Sequence, residues 1–168
     1  KPAPSALRFS VSPPAGFALE AGSSRQTFAL SPDGSRLAFE AMAPSGAFQT
    51  FLRELDSVEP RPLANSIGSY AMFWSQDSRS LFLNQRGSVR RSTLNNDSYH
   101  VICDSPALLL SGMMLGENIL LATRTASFLV PASGGRLHAL KEVYQWPQML
   151  PDGKHILLAR AVIDSSRI

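Results

Sequence analysis

The turn Ser31-Pro32-Asp33-Gly34 sits between two apolar runs, and the same frame returns along the chain. The first copy reads FALSPDGSRLAFEA (28–41), the second MFWSQDSRSLFLNQ (72–85) and the fourth PQMLPDGKHILLAR (147–160). Between them, LSGMMLGENILLATR (110–124) keeps the apolar frame without the turn residues. With Leu37, Leu81, Ile119 and Ile156 aligned, the steps are 44, 38 and 37 residues. A period of about 40 residues carrying strand signals is that of a β-propeller blade. Propellers serve many unrelated roles, so the repeat names no chemistry by itself.

The local chemistry explains why each copy closes a hairpin. Pro32 presets φ at the second turn position, Asp33 accepts hydrogen bonds from nearby backbone N–H groups, and Gly34 takes a positive φ without a Cβ clash. A type I turn followed by a left-handed residue gives a hairpin whose twist suits its strands. Asp77 and the stretch Pro151-Asp152-Gly153 hold the same places in copies two and four. In the strand after the turn, Leu37, Phe39 and Ala41 point one way and Ala38, Glu40 and Met42 the other. Copy two sets Leu81 and Leu83 against Phe82 and Asn84, and copy four sets Ile156 and Leu158 against Leu157 and Ala159. Both faces are largely apolar, as a sheet packed between two other sheets requires.

The expected fold is all-β: four-stranded antiparallel blades, three complete and a fourth partial, forming part of a larger propeller. Blades are placed at about 26–66, 70–105, 107–142 and 145–168, within a propeller region spanning 7–168 and after a linker-like 1–6. Residues 7–12 (LRFSVS) alternate and read as an early strand that Pro13, Pro14 and Gly16 end. Outer strands are expected at 49–55, 61–64, 89–94, 99–104, 127–132 and 137–142, with turns at Asn95-Asn96-Asp97 and Ser133-Gly134-Gly135. The opening Lys1-Pro2-Ala3-Pro4 and the unfinished last repeat suggest a segment of a longer protein. Propellers close with about 4 to 8 blades. Three arrangements follow: a longer native ring, a small ring in which strand 7–12 completes blade four, or a dimer joined through open blade edges. The first is favoured for the native protein, and the dimer is the expectation for this stretch alone.

Composition narrows the function classes. The 168 residues carry 16 Lys and Arg against 13 Asp and Glu, a net charge of +3. The densest basic cluster, Arg86, Arg90 and Arg91, is thin for nucleic acid, which needs a stripe of phosphate contacts, so no nucleic-acid partner is expected. Cys103 is the single cysteine; in the alternating HVICDSP it reads as a small packed hydrophobe. No apolar run reaches the about 18 residues of a spanning helix, so no membrane insertion by this segment is expected.

Candidate chemistry is sparse. His100, His138 and His155 lack the spacing of metal ligands and read as structural or surface residues. No Gly-x-Ser-x-Gly elbow exposes a nucleophilic serine. Asp33, Asp77 and Asp152 supply one carboxylate per turn, too few for calcium, and each has a local backbone role. Ser133-Gly134-Gly135 lies between strands with no helix N-terminus after it, so it is a hairpin turn rather than a phosphate loop. No catalytic residue, metal or cofactor is expected. Trp74 reads as core. Tyr70, Tyr144 and Trp146 stand where blades begin, on one rim, as candidates for partner anchors; the alternative is packing between blades.

The turn copies resemble the TolB-like, WD-repeat-related propellers, whose blades carry a Ser-Pro-Asp-Gly turn before an apolar strand. RFSVSPP, the LDS-x-E-x-RPL stretch at 55–63, FWSQDSRSLFL, VPASGG at 130–135 and WPQMLPDGKHILL at 146–158 are also similar to the C-terminal propellers of bacterial membrane serine/threonine protein kinases. That resemblance implies a non-catalytic sensor or interaction module on the extracytoplasmic side of a membrane protein, with a protein or small ligand as partner. The kinase Gly-rich loop, His-Arg-Asp and Asp-Phe-Gly motifs do not occur in this sequence. Two rival expectations are the substrate-gating propeller of a prolyl-oligopeptidase-type peptidase and a TolB-like periplasmic scaffold.

Overall fold

The computed structural model describes residues 9–20, 26–95, 98–106, 108–150 and 152–161. Among them every regular element is a strand. Blade 1 comprises β1 (Phe28–Leu30), β2 (Arg36–Met42), β3 (Phe48–Glu54) and β4 (Arg61–Pro62). Blade 2 comprises β5 (Ser69–Trp74), β6 (Ser80–Gln85), β7 (Ser88–Thr93) and β8 (Ser98–Asp104). Blade 3 comprises β9 (Leu109–Leu115), β10 (Asn118–Thr123), β11 (Ser127–Pro131) and β12 (His138–Ala139), and β13 (Val143–Met149) with β14 (Ile156–Ala161) makes the partial blade 4. Each sheet is an antiparallel meander in chain order.

The repeat alignment is also the structural one. Leu30 pairs with Leu37, Trp74 with Leu81, Met114 with Ile119 and Met149 with Ile156. Blade 3 differs where its turn residues differ. Leu115 pairs with Asn118 across Gly116-Glu117, with Gly116 at φ 58°, so its first hairpin is two residues tighter than the others.

The two-faced strand pattern becomes two seams. Ala29, Ala38, Leu52 and Leu63 meet Met72, Trp74, Leu81 and Leu83 between blades 1 and 2. On the other face of blade 2, Phe73, Phe82, Val89, Ile102 and Cys103 meet Leu109, Ile119, Leu121 and Val130 of blade 3. Each large side chain fully buried in such a seam contributes about 1.5–3 kcal/mol, and no blade could hide both its faces alone. The Phe73 and Phe82 rings stack at 5.0 Å. The chain comes so close to Phe73 at Gly112 that a Cβ there would lie 2.5 Å from the ring.

The early strand is not formed: residues 9–12 carry no strand pairing, while positions 7 and 8 of that expectation lie outside the described residues. Pro13 and Pro14 have no N–H for a ladder. Arg53 takes the Ser10 carbonyl at 2.6 Å and lies over the Phe9 ring. Val11 and Phe17 instead pack on the outer face of blade 1, against Leu37, Phe39, Ala41 and Phe51. Among its described residues, the strand-like contact of this segment is the isolated bridge Ala18–Met42. The small ring completed by residues 7–12 is therefore not what this segment builds, because its described part covers blade 1 rather than pairing with β14.

Candidate functional site

Antiparallel order puts the β1–β2 type of turn on one rim and the blade-to-blade connections on the other. On the first rim, the Ser31 hydroxyl donates to Asp33 Oδ1 at 2.6 Å, and Asp33 Oδ1 also accepts from the Ser35 N–H and hydroxyl. These bonds hold the Asp33 carboxyl down at about 2. Blade 2 repeats the device: Ser75 donates to Asp77 at 2.6 Å and the Arg79 N–H to the same oxygen, again lowering that carboxyl. Asp152 is lowered first by its bond with His155 and then by the N–H groups of Lys154 and His155. Pro32 and Gly34 are exposed turn residues, with Gly34 at φ 71°, and Gly153 is at φ 67°. Pro151 lies outside the described residues. The three carboxylates thus serve their own turns, and among the described residues no group of three His, Cys, Asp or Glu converges as a metal site. Burial raises the Cys103 thiol to about 11.

The aromatic candidates are set apart from one another by role. Tyr70 is half-buried and packs against the core between blades 2 and 3. Tyr144 is half-buried and donates to Glu142 Oε2 at 3.1 Å, which raises its phenol. Trp146 is exposed on a bulge of β13, at φ 52°. Ala71 occupies the same bulged place in β5, also at φ 52°, but there the residue is buried. The bulge frees Pro147 from the ladder, which is why a proline is tolerated inside this strand.

The second rim holds a feature that the repeat pattern conceals. A cleft of about 450 Å³ opens at the seam of blades 1 and 2, between the β4–β5 connection and the β6–β7 hairpin. Arg61, Arg86 and Arg90 line it with Gln85, Asn65 and Tyr99, and no acidic residue does among the described residues. Its floor is braced by Gln85, which is buried. The Gln85 amide donates to the carbonyls of Asn65 and Ile67 at 2.7 and 2.8 Å, fixing the connection between blades. Gln85 Oε1 in turn accepts from Arg90 Nη1 at 3.2 Å, and the Arg90 guanidinium lies 4.9 Å from the centre of the Tyr99 ring. Arg90 Nε is buried with no hydrogen-bond partner. None of the three arginines forms an ion pair among the described residues. Cations left unpaired around a braced cavity can take an oxyanion, by charge and by the fork of guanidinium donors. Sequence reasoning found Arg86 and Arg90 as a basic cluster. It missed Arg61, which lies 25 positions before Arg86 and joins only through blade packing.

Comparison with known proteins is informative on the fold. No known family's sequence profile matches the chain, and no curated protein matches it. Among solved structures, TolB from Acinetobacter baumannii is 16% identical with a TM-score of 0.59, over 80% of this chain and 43% of that one. The β-propeller domain of Cps50 (Swd1) from Myceliophteria thermophila is 14% identical with a TM-score of 0.57, over 86% and 51%. The β-propeller domain of the Trilobed protease from Pyrococcus furiosus, described as having an open velcro topology, is 12% identical with a TM-score of 0.52, over 82% and 55%. The chain therefore spans about half the length of these structures. Its sheets, their order and this likeness make it part of a β-propeller of the kind seen in TolB and WD-repeat proteins.

Proposed function

We propose that this chain is a non-catalytic recognition module: part of a propeller that forms the extracytoplasmic sensing or interaction portion of a bacterial membrane serine/threonine protein kinase. The observation that carries the recognition role is the cleft at the seam of blades 1 and 2. There Gln85 braces the loop from below, and three arginines line a cavity with no acidic neighbour among the described residues. The kinase parentage is supported by the sequence resemblance over RFSVSPP, the 55–63 stretch and the last repeat. The aromatic residues Tyr70, Tyr144 and Trp146 remain part of this proposal as secondary anchors.

A second reading has its own support, because one structural neighbour is the propeller domain of a protease. In that reading the propeller gates substrate access to a hydrolase domain. A TolB-like periplasmic scaffold is the third. The test is the reading frame on both sides of this chain, followed by deletion of the segment from the intact protein. The expected result is an upstream kinase domain and one apolar stretch of about 20 residues. Deletion should then leave phosphoryl transfer to a generic substrate intact and abolish its regulation. A downstream hydrolase with a nucleophile elbow overturns the proposal in favour of gating. A secretory leader with no other domain overturns it in favour of the scaffold.

A further inference from the structure

We infer that the cleft between blades 1 and 2 binds a short acidic peptide segment through its carboxylates; the inference rests on reading the chain as a recognition module. Three features of the cavity select this ligand. Charge comes first. Arg61 and Arg86 are exposed and Arg90 is half-buried, all three line one cavity, and among the described residues no Asp or Glu lines it. Preorganisation comes second. Arg90 is held from one side by Gln85 Oε1 and from the other by the face of Tyr99, so its guanidinium is ordered before any ligand arrives. Its Nε is buried and has no acceptor among the described residues, so the guanidinium meets a ligand through its cavity-facing edge. An oxyanion that enters the cavity therefore meets an oriented guanidinium, and little rotamer entropy is lost in binding it.

The apolar wall is the third feature, and it separates a peptide from a nucleic acid. Pro62, Leu63, Ala64 and Ile67 line the same cavity, with Ile67 59% exposed. A polynucleotide would want a row of cations spaced along a backbone. Here three cations surround one recess beside an aliphatic shelf, which suits a carboxylate side chain followed by an apolar one. The volume of about 450 Å³ accommodates a few residues rather than a folded surface.

The experiment measures fluorescence anisotropy of a labelled, blocked Glu-Glu-Leu-Glu-Glu peptide against the whole chain. The all-Gln counterpart serves as the neutral control and inorganic phosphate as the competitor. The expected result is saturable binding of the acidic peptide, at least about tenfold weaker for the Gln peptide and weakening further with salt. Arg86→Glu and Arg61→Glu, both at exposed positions, should each weaken binding by about tenfold or more, a loss of the size that removing a charged contact produces. Circular dichroism should show the strand signal unchanged in both. Failure of the acidic peptide to bind, equal binding of the two peptides, or wild-type binding by both charge-reversed variants overturns the assignment. Complete displacement by phosphate at the peptide's own concentration also overturns it, because the site is then one for free oxyanions. The reading frame decides the parent protein independently, so a kinase parent with no peptide binding sinks only the cleft assignment.

Discussion

The Asp33 N–H donates to the Ser78 hydroxyl at 3.1 Å, tying the first turn of blade 1 to its counterpart in blade 2. Arg36 Nη1 reaches the Ser78 carbonyl at 3.1 Å, so both polar ends of that residue are engaged by the neighbouring blade. Ser78 stands where the other copies have Gly34 and Gly153, and it accepts the same left-handed backbone, φ 58°. A hydroxyl has been kept at a place where glycine would be unstrained. Ser78→Ala should cost about 1 kcal/mol, because it keeps the strained φ and loses the bond. Ser78→Gly should come out close to the parent, since relief of a left-handed non-glycine residue returns about 1 kcal/mol and offsets the lost bond. Urea unfolding of the three proteins checks the order; an alanine variant as stable as the parent would show the bond to be idle.

Acid should loosen this rim in a defined window. The Asp33 carboxyl is ordinarily near 3.8 and lies at about 2 when folded, and Asp77 and Asp152 are displaced in the same direction. A lowered folded value means that the stabilisation is complete above the ordinary carboxylate value and is lost as pH falls towards the folded one. Stability should therefore decline between about pH 4 and pH 2. Asp33→Asn should flatten part of that decline. Thermal unfolding followed across this range gives the answer, and an identical profile in the variant would rule Asp33 out as a contributor.

Gly112 predicts a large effect from a single methyl group. Its Cβ would meet the Phe73 ring at 2.5 Å, and that ring is stacked on Phe82 inside the seam. The ring has nowhere to move, so Gly112→Ala should destabilise by about 1–3 kcal/mol through overpacking. The double variant with Phe73→Leu should recover part of the loss, measured as a coupling in denaturant unfolding.

The outermost faces bear on association. Phe28 is 67% exposed, Leu30 53% and Leu157 62%, on the first strand of blade 1 and the second strand of the partial blade 4. The segment carrying Val11 and Phe17 covers the rest of the blade 1 face but leaves these two side chains in solvent. Sedimentation of the chain should show concentration-dependent association, with a dimer as the first species, which Leu30→Asp weakens. A compact monomer at every concentration would contradict it.

Much of this architecture could be read before any coordinates, and the reasons are physical. The period of the repeat, the alternation through Leu37 and Leu81 and the role of Asp33 are local properties of the chain. Local sequence chemistry dictates them. Residues 9–12 show the limit: their alternation fits a strand, but strand pairing needs a partner edge, and Arg53 and the two prolines remove the means of pairing. The cleft shows a different limit. Arg61 and Arg90 are brought together by the packing of two blades, and Gln85 acquires its role only because the Asn65 and Ile67 carbonyls arrive beside it. No spacing in one dimension encodes that meeting. Ala71 and Trp146 make the point once more, since one backbone kink buries a methyl in blade 2 and presents an indole to solvent in blade 4.

The tight Gly116-Glu117 hairpin leaves blade 3 without the residue that in blade 2 receives both Asp33 and Arg36. On that rim turn side chains latch the first two blades together, whereas the described join to the third combines apolar packing with a backbone bond, Gly135 N–H to the Ile102 carbonyl at 3.1 Å. A prying force applied at that rim would meet side-chain fastenings at the first join and, among the described residues, none of that kind at the second.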